Sequence, residues 1–272
     1  MRVRNTDLNI RIGISGFSYE DWIGHVYPKG IHSGEMLPYY SGKLGFDIVE
    51  LNYTYYTMPT VAGVAGLLDK VPEDFEFVAK AHSSMTNKIK GDDGSYLRDE
   101  ASCEVFIAGL EPMIDSGRLK CVLAQFPMKF AREEGALEHL EWFAGKMGSV
   151  RLAFELRDKS WVTQSVFDKL RGLGVSYCVV DGPEISRLPP FMPVATSPLA
   201  YFRFHGRNRK WFGVPSHVRY NYLYSDEELR QFLSPIRKVA STAEETLVFF
   251  NNHFRGAAVK NALRLRELLE TT

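Results

Sequence analysis

Five pairs of polar residues stand two positions apart at the ends of apolar runs. They are Glu50 and Asn52, Lys80 and His82, Glu155 and Arg157, Arg203 and His205, and Asn251 and His253. Residues i and i+2 of a β-strand share a face, so each pair points the same way. Gln125 and Asp181 close two further runs, and Ser15 closes the first, followed by Tyr19 and Trp22. Brought to one mouth, these residues offer a definite chemistry. Glu50 or Glu155 can serve as general acid or base with a histidine partner, and Asp181 and His205 join them as titratable candidates. Lys80, Arg157 and Arg203 suit a phosphate or carboxylate, which arginine grips as a fork. Asn52, Asn251 and Gln125 suit hydroxyls or amides. His82 and His253 complete the polar set. Tyr19, Trp22, Tyr55, Tyr56, Trp161 and Trp211 can wall a flat ligand, although core packing is the commoner use of any single aromatic ring.

The same residues bear on sharper mechanisms. A glycosidase needs two carboxylates across the scissile bond, and Arg157 beside Glu155 makes that carboxyl a poor acid. Lys80 can form a Schiff base if its pKa is lowered, whereas a nearby Glu50 is expected to raise it. Glu50, His82, Glu155, Asp181, His205 and His253 have the donor types of metal-dependent barrels of the endonuclease-four and xylose-isomerase kind. Three neighbouring cations oppose a divalent ion, and no HxH or HExxH spacing occurs, so neither a metal nor a cofactor is expected. The stretch 205–225 interleaves Arg207, Arg209, Lys210 and Arg219 with Trp211, Phe212, Tyr220, Tyr222 and Tyr224. It reads as a lid over the polar mouth in preference to a nucleic-acid-binding loop.

Eight apolar runs must position these residues: 10–15, 46–51, 75–80, 120–125, 151–156, 175–180, 200–204 and 246–251. Most are continuously apolar and rich in β-branched or aromatic residues, as in parallel strands covered on both faces. Each becomes polar at its C-terminal end, and none shows a comparable cluster at its N-terminal end. Helical patterns lie between them at 99–117, 132–147, 225–240 and 256–270, with a weaker, glycine-bearing one at 60–70. Ser225 and Glu228 form a capping box, and Pro235 predicts a kink or break. The proline-rich stretch 182–198 reads as loop. Strands alternating with helices predict a closed (β/α)8 barrel of the TIM type, a single domain over 1–272. A doubly wound open sheet is the alternative, but no GxGxxG follows the first run. In the barrel, catalytic groups gather at the C-terminal rim, where these polar residues fall.

The chain of 272 residues carries 33 Lys plus Arg and 33 Asp plus Glu, so no overall field draws it to nucleic acid or an acidic surface. Cys103, Cys121 and Cys178 are odd in number and far apart, against a disulfide framework. No apolar run approaches a membrane span and no signal-type segment opens the chain, so a cytoplasmic protein without membrane partners is expected. The expected partner is a small polar or anionic ligand; oligomeric state is not set by the sequence.

Several segments together resemble the YecE-like family, barrel proteins named as a domain of unknown function. They are "GISGFSYEDWIGHVYP" (13–28), "VELNYTYYTMP" (49–59), "FEFVAKAH" (75–82), "AQFP" (124–127), "FELRDKSW" (154–161), "YFRFHGR" (201–207), "YNYLYSDEEL" (220–229) and "FFNNHFRGAAVKNAL" (249–263). They run in order over nearly the whole chain. The resemblance implies a TIM-type barrel with a polar pocket at the strand ends and supplies no reaction. Phe17 departs from the family's usual tryptophan and offers no indole N–H.

Overall fold

The computed structural model describes residues 1–4 and 7–271. The eight apolar runs form β1 (Ile10–Ser15), β2 (Ile48–Leu51), β3 (Glu76–Lys80), β4 (Leu119–Phe126), β5 (Leu152–Leu156), β6 (Ser176–Asp181), β7 (Leu199–Phe204) and β8 (Glu245–Phe250). They pair in parallel in chain order, and β8 returns to β1, closing the barrel. The helices are α1 (Ser33–Gly42), α2 (Val61–Leu68), α3 (Ser83–Thr86), α4 (Glu100–Gly109), α5 (Glu111–Asp115), α6 (Ala136–Lys146), α7 (Gln164–Leu173), α8 (Ser216–Arg219), α9 (Asp226–Ala240) and α10 (Ala257–Thr271). The alternation expected of a (β/α)8 barrel is therefore present.

Three local features differ from expectation. The stretch 99–117 divides into α4 and α5 around Leu110, and Pro112 sits in the first turn of α5, where its missing N–H has no helical partner to lose. Pro235 does not break α9. The residue whose carbonyl loses its partner, Gln231, is exposed, while Leu229, Phe232, Leu233, Ile236 and Val239 are buried and hold the helix to the barrel. The capping box of α9 forms as read, Ser225 Oγ accepting from the Glu228 N–H at 3.3 Å and Glu228 accepting from the Ser225 N–H at 2.8 Å.

The third difference concerns the bottom of the barrel. Arg11, Glu76, Glu245 and Lys120 gather at the N-terminal ends of four strands, with Arg11 only 1% exposed. Lys120 Nζ reaches Glu245 at 3.0 Å, Arg11 pairs with Glu76, and Arg11 also reaches Asp47 at 3.1 Å. An ionic cluster thus exists where none was expected. Arg11, Glu76 and Glu245 stand at even spacing from the inward residues of their strands, so alternation turns them inward too.

Above this plug the interior is apolar: Ile48, Val78, Cys121, Leu123, Ala153, Cys178, Leu199, Tyr201, Leu247 and Phe249 form a core separate from the larger one between strands and helices. Gly13 belongs to this layer because a Cβ there would stand 2.7 Å from the Ile48 carbonyl oxygen and 2.8 Å from the Phe249 ring. Gly13→Ala is expected to cost about 1–3 kcal/mol by overpacking, measured by chemical denaturation. An unchanged midpoint would mean that β1 and β2 approach less closely than described.

Candidate functional site

Alternation along each strand carries the inward set upward from the apolar layer. From Ile48 it reaches Glu50 and Asn52, from Val78 Lys80, from Leu123 Gln125, from Ala153 Glu155 and Arg157, from Tyr201 Arg203 and His205, and from Phe249 Asn251 and His253. The result is a layer of charge on top of a layer of hydrocarbon. Thr54 fixes one part of it: its hydroxyl donates to the Lys80 carbonyl at 2.6 Å and accepts from the Lys80 N–H at 3.0 Å.

Arg203 is the centre. Its Nη2 donates to Glu50 Oε1 at 2.6 Å, its Nη1 pairs with Glu155 Oε2, and all three side chains are at most 1% exposed. Glu50 also accepts from the Tyr201 hydroxyl at 2.7 Å. Glu155 also accepts from Gln125 Nε2 at 2.7 Å and from Arg157 Nε at 2.6 Å. Burial alone would raise the Glu155 pKa, but the Arg203 and Arg157 guanidinium groups prevail and hold it well below the ordinary carboxylate range. Such a carboxyl cannot give up a proton near neutrality, as expected from the adjacency of Arg157. Burial works against the Arg203 charge, and Glu50 and Glu155 overcome it.

Lys80 is placed differently. Its Nζ donates to Gln125 Oε1 at 2.8 Å and lies 4.3 Å from the centre of the Tyr55 ring. The partner is an amide, not a carboxylate. Burial, reinforced by Arg203 and Arg157, pushes its pKa down to about 7, against the weaker pull of Glu155 and Glu50. Glu50 acts in the raising direction as expected, but desolvation and the two arginines outweigh it.

The histidines are neutral acceptors and donors. Asn251 Nδ2 lies 2.9 Å from His205 Nδ1, which leaves the ring proton on Nε2, 3.4 Å from Glu155 Oε1. His253 stacks on Tyr19 with ring centres 4.1 Å apart, and its buried Nδ1 has no protein partner. Burial pushes both pKa values down to about 4. Tyr220 from the 205–225 stretch closes over them, 5.3 Å from the His253 ring and 6.2 Å from His205.

The mouth holds a cavity of about 460 Å³ whose lining includes Tyr19, Asn52, Tyr56, Lys80, Arg203, His217, Tyr220, Asn251 and His253. Arg157 is not among these lining residues but acts electrostatically on Lys80, and its terminal nitrogens have no protein hydrogen bond among the described residues. Arg203, expected to grip an anion, instead has both terminal nitrogens committed to Glu50, Glu155 and Ser15.

Four expected site residues lie elsewhere. Asp181 points to the outer face of the barrel, because Cys178 and Val180 of β6 point inward. It accepts from the Tyr224 hydroxyl at 2.6 Å and from Arg207 Nη2 at 2.8 Å, beside a cleft of about 600 Å³ outside the barrel. Trp22 and Trp161 are wholly buried, and their indole N–H groups donate to the carbonyls of His253 at 2.7 Å and Phe130 at 2.6 Å. They brace loops and offer no wall to a ligand. His82 caps α3, its Nδ1 accepting from the Ser84 N–H at 3.3 Å, and does not line the cavity. Tyr201 and Thr54 were not singled out in the sequence. Tyr201 was legible as the residue two before Arg203 on one strand face, whereas Thr54 carried no such signal.

Among the described residues no group of three or more His, Cys, Asp or Glu side chains is placed to share a metal ion. No helix among them is long and apolar enough to cross a membrane. In the 205–225 stretch Trp211 and Tyr224 are buried, Tyr220 and Tyr222 are half-buried, and of its aromatic rings only Phe212 is largely exposed.

The fold has counterparts among known proteins. The UPF0759 protein YunF of Bacillus subtilis (strain 168) is 28% identical over 273 residues, covering 96% of this chain and 95% of that protein. A crystal structure of a DUF72 family protein from Thermotoga maritima MSB8 superposes with a TM-score of 0.88 at 40% identity, covering 96% of this chain and 99% of that one. Another from Enterococcus faecalis V583 gives 0.82 at 29% identity, covering 97% and 96%. Residues 11–272 match the family described as protein of unknown function DUF72, and the chain belongs to that family.

Proposed function

We propose that the mouth of the barrel is the active site of an enzyme for a small anionic ligand, with Lys80 as its reactive group. The observation that carries this reading is the setting of Lys80. A buried amine at the end of β3, held by an amide and a ring, opens onto a cavity of about 460 Å³. An amine that is half neutral near pH 7 can take a proton from a ligand or add to a carbonyl carbon. Glu50, Glu155, Arg203 and Arg157 cancel in charge, so protonated Lys80 leaves the cluster with one net positive charge that favours an anion. Arg157 supplies the free guanidinium edge for it, and Asn52 and Asn251 supply neutral partners.

The competing readings lack such support. A metal would have to displace Arg203 from Glu50 and Glu155, whose oxygens are already engaged. A single-stranded nucleic acid would need exposed rings for stacking, and the 205–225 stretch turns most of its rings inward.

A thermal-shift screen of sugar phosphates, short carboxylates and nucleotides tests the proposal. A ligand at a hundred times its Kd stabilises by about 2.7 kcal/mol, a shift of several degrees in Tm. Arg157→Met and Lys80→Met are expected to fold and to lose that shift. Retention of the full shift by both variants would place the ligand elsewhere.

A further inference from the structure

We propose that the site extends beyond the polar mouth into an apolar annex, so that its ligand joins an anionic head to a flat apolar body. This deepens the reading of the mouth as an anion site and rests on it. The annex is a depression of about 290 Å³ lined chiefly by Phe17, Tyr19, Leu51, Tyr53 and Tyr56. A cavity of about 150 Å³ suffices for benzene, so this one takes a body of one or two rings.

Adjacency to the mouth is the central observation. Tyr19, Asn52 and Tyr56 line both cavities, so the two adjoin along these side chains. The two differ sharply in lining: Lys80, Arg203, Asn251 and His253 belong only to the mouth, while Phe17, Leu51 and Tyr53 belong only to the annex. Tyr56 is 77% exposed and Tyr53 37%, although both sit at the rim of a site and carry large apolar surface. Exposed aromatic area beside a polar cavity is the pattern of a binding surface for an amphipathic molecule. An aromatic relay also connects the two parts. Tyr56 meets Tyr55 edge-on at 5.1 Å, and Tyr55 lies under the Lys80 amine. A ring laid on Tyr56 would therefore lie one aromatic contact away from Lys80.

Paired probes test this. Methylphosphonate and phenylphosphonate share a head and differ in body. Calorimetric titration is expected to give phenylphosphonate at least a tenfold lower Kd. In a Phe17→Ala/Tyr53→Ala double variant, checked for an unchanged fold by circular dichroism, that preference is expected to vanish while methylphosphonate binds as before. Benzyl alcohol carries the ring without the anion and reads the annex alone by saturation-transfer NMR. It is expected to contact the wild type and not the double variant. Equal affinity for the two phosphonates, or a benzyl alcohol signal that survives in the double variant, overturns the annex. Failure of both phosphonates to bind, with benzyl alcohol still reporting on Phe17 and Tyr53, overturns the anion site instead.

Discussion

Arg203→Met is expected to destabilise the protein by about 3–5 kcal/mol, the cost of leaving buried carboxylates without their cation. Glu50 and Glu155 are both 0% exposed and both pair with this one guanidinium. After its removal Glu50 keeps only the Tyr201 hydroxyl, while Glu155 keeps Gln125 and Arg157. The pH dependence gives the mechanism away. Without Arg203 the buried cluster carries uncompensated negative charge, so proton uptake favours the fold. The variant should then recover stability as pH falls and lose it as pH rises. Arg203→Lys keeps the charge but not the fork that spans two carboxylates, and should suffer most of the same loss. Replacing the whole cluster, as Glu50→Gln/Arg203→Met/Glu155→Gln, should restore much of the stability, because a buried ion cluster contributes little beyond satisfying itself. Urea denaturation across pH 5–8 measures all three. A loss below about 1 kcal/mol in Arg203→Met would show that the carboxylates are not dependent on it.

The fold was legible because its signals agree at every level. The runs are apolar on both faces, the polar residues cluster at one end, and the connections are helical or proline-rich. The inward set followed from alternation alone, and Glu50, Glu155, Arg203, His205 and Asn251 meet as their spacing implies. Asp181 failed by one residue. The apolar signal of the sixth run ends at Val180, and the alternation that Cys178 and Val180 impose turns the polar residue after it away from the rim. The ionic plug around Arg11 is hidden for a related reason: charges at strand starts look like loop flanks until the strands are closed into a ring. Trp22 and Trp161 lie on loops, where no periodicity says which way an indole turns. Lys80 shows a deeper limit. Its neighbours could be named from the sequence, but the balance between desolvation and two arginines depends on burial and distance, which spacing does not contain.

That balance leads to the second large effect. Lys80→Met is expected to stabilise the free protein at pH 6 by about 3 kcal/mol while removing its response to ligand. The Lys80 pKa falls from an ordinary 10.5 to about 7. At about 1.36 kcal/mol per pH unit, holding the charged amine in the fold costs about 5 kcal/mol. Because the folded pKa lies below the unfolded one, the unfolded chain binds the extra proton between pH 7 and 10.5. Wild-type stability from this group therefore rises with pH across that window. Below pH 7 both states are charged and the whole penalty stands; above 10.5 both are neutral and it is gone. Methionine removes the penalty at every pH and fills similar space over Tyr55. It also leaves Gln125 Oε1 without its donor, which offsets about 1–2 kcal/mol. The advantage of the variant should accordingly shrink from pH 6 to pH 10 and end near zero or slightly negative. Denaturation curves of the two proteins at pH 6, 7, 8.5 and 10 isolate this term, since their other titrating groups are shared. A difference that stays constant over that range would mean that Lys80 keeps an ordinary pKa. A stability cost of this kind in a cavity-lining amine is what the proposed role of Lys80 toward a ligand would require the fold to carry.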